Sequence, residues 1–105
     1  MSEQAADPQR PVREGAIVKV LEICNKKGLH ARASAKFVQT VEKFDAEVFV
    51  TRGHETVGGT SIMGLMMLAA GPGTTITVAA AGADAEAALA AITELVESKF
   101  NEEGT

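Results

Sequence analysis

Hydrophobic residues recur along this chain with two alternating periods, one typical of strands and one typical of helices. Ala16 to Cys24 is rich in β-branched residues and partly alternates, with Leu21 and Ile23 on one face and Glu22 on the other. This pattern predicts a strand. The pattern that follows has steps of four, four and three residues and predicts an amphipathic helix over 31–44. Its apolar positions are Ala33, Phe37, Val41 and Phe44.

The middle of the chain predicts a β-hairpin and then a short helix. The hairpin strands alternate, with Val48 and Val50 inward, and the turn between them lies at Gly53-His54. Two consecutive glycines then end the hairpin, and Thr60 or Ser61 begins the helix. The predicted bounds are 47–52 and 55–57 for the strands and 60 or 61 to about 70 for the helix.

The last third of the chain predicts a strand and then a longer helix. Gly71-Pro72-Gly73 is a stop signal, and the strand over 74–81 alternates apolar residues with threonines. Asp84 is a favourable N-cap, with Glu86 in the first helical turn. The apolar stripe of this helix consists of Ala85, Leu89, Ile92, Val96 and Phe100.

The predicted order is therefore β-α-β-β-α-β-α, a single domain of the α+β class. A ferredoxin-like fold has nearly the same order of elements, so periodicity alone leaves the topology open. The chain has 105 residues, and a hydrophobic content of 46% is that of a globular protein. Aromatic residues make up only 4%, which predicts an aliphatic, methionine-rich core.

Charge and cysteine content exclude several classes of protein. The net charge of −4 argues against general nucleic-acid binding. Cys24 is the one cysteine, so the chain forms no internal disulfide. We expect Cys24 to act as a small hydrophobic residue at the end of the first strand. No apolar run reaches the length of about 18 residues that a membrane span needs. Residues 1–15 are polar and predict a flexible arm without the apolar segment of a secretory signal, which makes the cytoplasm the expected compartment.

The candidate chemistry lies in Gly28-Leu29-His30-Ala31-Arg32, where a glycine-containing loop becomes a helix. The first N–H groups of a helix have no partner within the helix and attract anions. Imidazole is a competent nucleophile near neutral pH, and the Arg32 guanidinium suits phosphate oxygens. These residues predict a phosphoryl group carried on His30, although a histidine at a helix start is more often a cap or a surface residue. Lysines at 26, 27 and 36 could add a basic collar for acidic or phosphorylated proteins, or be merely solvated.

A second segment, Thr60-Ser61-Ile62-Met63-Gly64-Leu65-Met66-Met67-Leu68, decides between these interpretations. Together the two segments resemble the HPr family, the histidine phosphocarriers of the bacterial phosphoenolpyruvate-dependent phosphotransferase system. The resemblance covers about residues 17–100. It implies an HPr-like open-faced sandwich, in which a four-stranded antiparallel sheet carries three helices on one face. We expect this domain over 16–105, after the arm at 1–15.

The resemblance also implies the site residues. His30 would be phosphorylated on Nδ1 by enzyme I and would pass the phosphoryl group to an EIIA-type protein, with Arg32 neutralising the phosphoryl oxygens. Ser61 matches the serine that HPr kinase/phosphorylase modifies in some bacteria, although a helix N-cap is the simpler role. Ala33 departs from the family pattern, which has proline there, and we expect an altered or more mobile helix start without loss of the chemistry.

An apolar patch of Ile62, Met63 and Met66 is the expected contact surface for partner proteins, and we add Lys36 to it. The simpler alternative is that these methionines fill gaps in the core. The expected protein is a monomeric carrier rather than an enzyme, with no metal ligands, no cofactor, no nucleic acid and no membrane among its partners. Whether it serves sugar transport or a regulatory chain stays open.

Three other functions compete with the carrier. A regulatory binding module would act through Ser61 and the apolar patch without carrying a phosphoryl group. A second alternative is a ferredoxin-like domain that binds a small ligand or RNA, and the RNA-binding version would require exposed aromatic residues on the sheet and a basic surface. A hydrolase would use Ser34 with His30, but no acid lies nearby in the sequence to orient the pair.

Overall fold

Four antiparallel strands form one sheet in the order β1-β4-β2-β3 in this computed structural model, which describes residues 16–102. The predicted arm at 1–15 and the last three residues lie outside the described range. The strands are β1 (Ile17–Glu22), β2 (Glu47–Arg52), β3 (Glu55–Gly58) and β4 (Thr75–Ala81). The helices are α1 (Ala31–Val41), α2 (Ile62–Met67) and α3 (Ala85–Glu97), followed by a 3₁₀ turn at Lys99–Asn101. The predicted order of elements is confirmed, and so is the open four-stranded sheet that the family resemblance implies.

The two faces of the sheet differ in their exposure to solvent. Val48 and Val50 of β2 are buried, as predicted, and so are Ile76 and Val78 of β4. The helices cover this face with fully buried side chains, the largest of which are Phe37, Leu65, Ile92 and Phe100. On the other face, Val18 and Val20 keep 56% and 60% of their surface exposed. The core therefore lies between one face of the sheet and the layer of three helices.

Two helices end earlier than the sequence predicts. Helix α1 stops at Val41, and the N–H groups of Lys43 and Phe44 donate to the carbonyls of Thr40 and Val41, so the chain tightens into a turn. Helix α2 stops at Met67 rather than near residue 70, because Ala69 takes a left-handed conformation with φ of 53°. The apolar spacing of the sequence continues past the C-terminal ends of α1 and α2, so it does not show where the helical backbone stops.

Phe100 is buried as the apolar stripe predicts, but it is not part of α3. The helix ends at Glu97, and Lys99, Phe100 and Asn101 have φ values of 60°, 57° and 56°. This left-handed conformation is unfavourable for side chains other than glycine, asparagine and aspartate. The turn nevertheless returns Phe100 to the core, where it has no exposed surface, and so offsets the backbone cost.

Two smaller expectations are corrected by the structure. Strand β1 ends at Glu22, so Cys24 lies beyond it; the residue is exposed, with Sγ 3.5 Å from the carbonyl oxygen of Val96. Asp84 holds the N-cap position, but its carboxylate accepts a hydrogen bond from the N–H of Asp45 at 2.8 Å instead of capping α3. It therefore ties the start of α3 to the loop before β2.

Replacement of Phe100 by alanine tests whether burial holds the C-terminal turn in place. We expect Phe100→Ala to lower the free energy of unfolding by about 3–5 kcal/mol, since it empties a fully buried aromatic site. Urea denaturation measures the change, and Phe44→Ala, at a half-buried phenylalanine, is the control with a smaller loss. Equal losses in the two variants would contradict the anchoring role of Phe100.

Candidate functional site

His30 occupies the N-cap of α1. Its backbone is extended, with φ of −76° and ψ of −178°, and its carbonyl accepts the first helical hydrogen bond from the N–H of Ser34 at 2.8 Å. The N–H groups of Ala31, Arg32 and Ala33 precede that bond and have no acceptor within the helix. The predicted juxtaposition of His30 with an anion-attracting helix start is therefore present in the structure, with alanine at position 33.

The loop before His30 is held by backbone contacts with the segment after α2. Gly28 has a φ of +65°, and a Cβ atom there would lie 2.3 Å from the carbonyl oxygen of Ala70. The N–H of Leu29 donates to that same oxygen at 3.0 Å. This close approach of two backbones explains the glycine and fixes the position from which α1 starts.

Asn25 holds the same loop from inside. Its side chain is completely buried, and its Nδ2 donates to the carbonyl of Gly28 at 2.8 Å and to Oε1 of Glu102 at 3.3 Å. Its Oδ1 is buried without a hydrogen-bond partner among the described residues. One amide thus connects the loop of His30 with the C-terminal end of the described chain.

Glu102 lies directly beside the imidazole of His30. The distance from His30 Nε2 to Glu102 Oε2 is 2.5 Å, and the side chains keep 25% and 7% of their surface exposed. Burial by itself raises the pKa of Glu102, but the hydrogen bonds from His30 and Asn25 and the charges of His30 and Lys36 outweigh burial. The resulting pKa is below the ordinary 4.5, so the carboxylate is ionised at neutral pH.

Neither Asn25 nor Glu102 was predicted from the sequence. Glu102 is 72 residues from His30, and its delivery depends on the left-handed turn at Lys99–Asn101, which no periodic pattern shows. A polar residue such as Asn25, just after a strand, looks like an ordinary turn residue. The one indication of Glu102 in the sequence was His30 at the helix start, because a histidine in a functional site is often oriented by an acidic residue.

Arg32 and Lys36 have different environments. Arg32 is exposed, and its guanidinium makes no hydrogen bond or ion pair with another residue of 16–102. Lys36, which the sequence analysis assigned to partner binding, is half-buried and donates from Nζ to the carbonyl of Phe100 at 2.5 Å. Arg32 is therefore available to an incoming anion, whereas Lys36 also holds the C-terminal turn against α1.

Ser61 and the apolar patch lie at the exposed start of α2. Ser61 is the N-cap, and its Oγ accepts a hydrogen bond from the N–H of Gly64 at 2.9 Å. The apolar patch residues Ile62, Met63 and Met66 are 41%, 72% and 43% exposed. The core positions near this helix are filled instead by Leu65 and Leu68, so the apolar patch faces solvent.

The other candidate residues do not form further sites. Ser34 is buried and donates to the carbonyl of Leu29 at 3.2 Å rather than to His30, so the pair that a hydrolase would need is not formed. His54 is exposed at the turn between β2 and β3. Within residues 16–102, no three histidine, cysteine or acidic side chains cluster as metal ligands. No helix in that range is long and apolar enough to cross a bilayer.

Acid pH should destabilise the site through Glu102. Its pKa is lowered in the folded protein, so its contribution to stability is complete above pH 4.5 and is lost as the pH falls from 4.5 through the folded-state pKa. We expect Glu102→Gln to melt at a lower temperature than the parent protein at pH 7 and the difference to shrink in acid. Thermal melts from pH 7 to pH 3 measure it, and a gap that widens in acid would contradict this assignment.

This chain is similar to phosphocarrier proteins of several bacteria. The family model described as PTS HPr component phosphorylation site matches residues 17–98. HPr of Neisseria meningitidis is 54% identical over 82 residues, which cover 78% of this chain and 92% of that protein. The phosphocarrier protein NPr of Shewanella violacea is 49% identical over 80 residues, 76% of this chain and 88% of that protein.

Solved structures show the same fold. The crystal structure of HPr-C-His from Thermoanaerobacter tengcongensis has a TM-score of 0.79 and 44% identity, covering 83% of this chain and 98% of that one. HPr of Bacillus anthracis has a TM-score of 0.76 and 41% identity, covering 79% and 99%. The segment matched by the family model runs from the first strand to the end of the last helix and includes the start of α1. This chain belongs to the HPr family of phosphocarrier proteins of the phosphotransferase system.

Proposed function

We propose that His30 is the residue that carries the phosphoryl group, received from phosphorylated enzyme I and passed to an EIIA-type protein. The observation that carries this proposal is the partly exposed imidazole at the N-cap of α1, next to helix N–H groups that have no acceptor in the helix. His30 Nε2 is occupied by Glu102, whereas Nδ1 makes no hydrogen bond with the described residues. Nδ1 is therefore the nitrogen available to a phosphoryl donor.

The transfer requires alignment and charge stabilisation more than acid–base catalysis. The dipole and N–H groups of α1 attract the phosphoryl oxygens, and Arg32 offers further donors from the first turn of the same helix. Both elements are present before the donor arrives, so little reorganisation is needed. The protein acts as a carrier: it accepts and donates a group without completing a reaction by itself.

The apolar patch and its surroundings supply the contact surface in this proposal. Flexible methionines that protrude into solvent suit a surface that must fit several proteins in turn. The carrier would work as a monomer in the cytoplasm, as a single domain following the N-terminal arm. We place neither nucleic acid nor a membrane among its partners.

Substitution of His30 tests the proposal directly. The parent protein, incubated with enzyme I and phosphoenolpyruvate, should gain one acid-labile phosphate by intact mass, and His30→Ala should gain none. His54→Ala, at an exposed histidine of the hairpin turn, is the matched control and should behave like the parent. We expect Arg32→Ala to slow phosphorylation about 10- to 100-fold, as for the loss of one charge-assisted contact, with Lys43→Ala as its control. A phosphate retained in His30→Ala would overturn the proposal.

We further propose that phosphorylation of Ser61, by a kinase of the HPr kinase/phosphorylase type, regulates the carrier. The support is structural: Ser61 is exposed and adjoins the apolar patch, where a phosphate would add about −1.5 to −2 charges. The second candidate function, a regulatory module that carries no phosphoryl group, would use the same exposed surface.

Two substitutions that both preserve the N-cap separate charge from structure at this position. Aspartate and asparagine cap helices about as well as serine, so Ser61→Asp and Ser61→Asn should both keep α2. We expect Ser61→Asp to slow phosphorylation of His30 by enzyme I about threefold or more through its charge, and Ser61→Asn to leave the rate unchanged. Equal rates in the two variants would remove the support for regulation.

A further inference from the structure

We propose that Glu102 is a positioning residue for phosphoryl transfer, which holds His30 in the tautomer that leaves the lone pair of Nδ1 free. The inference rests on the proposed role of His30 and adds to it a residue that is 72 positions away along the chain but adjacent in the fold. Nε2 and Oε2 are 2.5 Å apart, within hydrogen-bond distance, and a hydrogen bond to an ionised carboxylate is charge-assisted.

The ionisation of Glu102 determines which nitrogen carries the proton. A carboxylate only accepts hydrogen bonds, so the imidazole nitrogen that faces it must donate. Nε2 of His30 therefore carries the hydrogen, and in a neutral ring Nδ1 has the lone pair. The lowered pKa of Glu102 agrees with this arrangement, since the carboxylate keeps its charge at neutral pH.

Glu102 is held in place independently of any partner protein. Its second oxygen, Oε1, accepts from Asn25 Nδ2, whose orientation is itself fixed by the shorter bond to the carbonyl of Gly28. The turn that delivers Glu102 is anchored by the buried ring of Phe100 and by the bond from Lys36 to the Phe100 carbonyl. The acceptor for Nε2 is thus preorganised, as a positioning residue requires.

The same contact stabilises the product of the transfer. The lone pair of Nδ1 attacks phosphorus in the phosphorylated donor protein, the new N–P bond forms, and the bond from phosphorus to the donor atom breaks with its electron pair left on the donor. The ring of His30 then bears a positive charge and keeps its proton on Nε2, facing the carboxylate. Nδ1 and Nε2 lie at different edges of the ring, so Glu102 leaves the approach to Nδ1 open.

The hydrogen-bond network predicts an unusual ranking of two variants. In Glu102→Gln, Asn25 still donates toward one end of the new amide and requires an oxygen there. The NH₂ of the glutamine must then face His30 and donate to Nε2, which moves the proton of the ring to Nδ1. We expect Gln to slow phosphorylation on the order of 100-fold, in the manner of a wrong histidine tautomer. Glu102→Ala removes the carboxylate that favours the Nε2–H tautomer but does not favour the other tautomer. We expect this variant to be phosphorylated about tenfold more slowly than the parent protein.

The experiment combines ring ¹⁵N NMR of the unphosphorylated protein with phosphorylation rates from enzyme I. The parent protein and the control Glu97→Gln, an exposed glutamate of α3 with the same charge change, should show the Nε2–H tautomer and equal rates. Glu102→Gln should show the Nδ1–H tautomer and the slowest transfer, and Glu102→Ala a mixture and an intermediate rate. Backbone NMR spectra show whether each variant is folded. If Glu102→Gln does not fold, Glu102→Ala alone tests the tautomer and the rate.

The outcomes separate this inference from the proposed function. If the folded Glu102 variants keep the Nε2–H tautomer and the parent rate, Glu102 only ties down the C-terminal turn and the inference is overturned. If the parent protein gains no phosphate on His30, the proposed function fails, and the NMR measurement still decides whether Glu102 sets the tautomer.

Discussion

The site depends on one buried amide. Asn25 donates to the carbonyl of Gly28, which shapes the loop before His30, and to the carboxylate of Glu102, which faces the imidazole of His30. Without such bonds the buried side chain would be costly, because unpaired polar groups lose their hydration. The two bonds relate the histidine, the start of α1 and the C-terminal turn to one another, so the geometry of the site is built into the fold before any partner protein binds.

The electrostatics around His30 depend on where the charged groups lie rather than on the net charge of the chain. The chain is acidic overall, with a net charge of −4, yet the anion-attracting groups lie together at the start of α1 while the carboxylate of Glu102 lies at the Nε2 edge of the ring. Arg32 stays exposed, and Lys36 is bonded within the protein. One edge of the imidazole thus faces groups that attract an anion, and the other edge faces a carboxylate that favours a positive charge on the ring.

Local patterns in the sequence predicted the order of the elements, the inward faces of the strands and the place of His30 at a helix start. These features follow from residues close together in the chain, where spacing and burial are directly linked. Phe100 shows the limit: its spacing from Val96 indicated burial correctly, but the backbone reaches that position through a left-handed turn instead of a continued helix. The sequence did not predict Glu102, because its contact with His30, 72 residues away, forms only when that turn folds back onto α1.

The partial exposure of the His30 ring has a consequence for timing. With 25% of its side chain exposed, His30 is accessible to a partner protein, and a phosphoryl group bound there, as proposed, would also be accessible to water. Under the proposed role of His30, hydrolysis would then compete with delivery. The number of acceptor proteins that a phosphorylated carrier meets before it loses its phosphoryl group is the lifetime of that group multiplied by the encounter frequency.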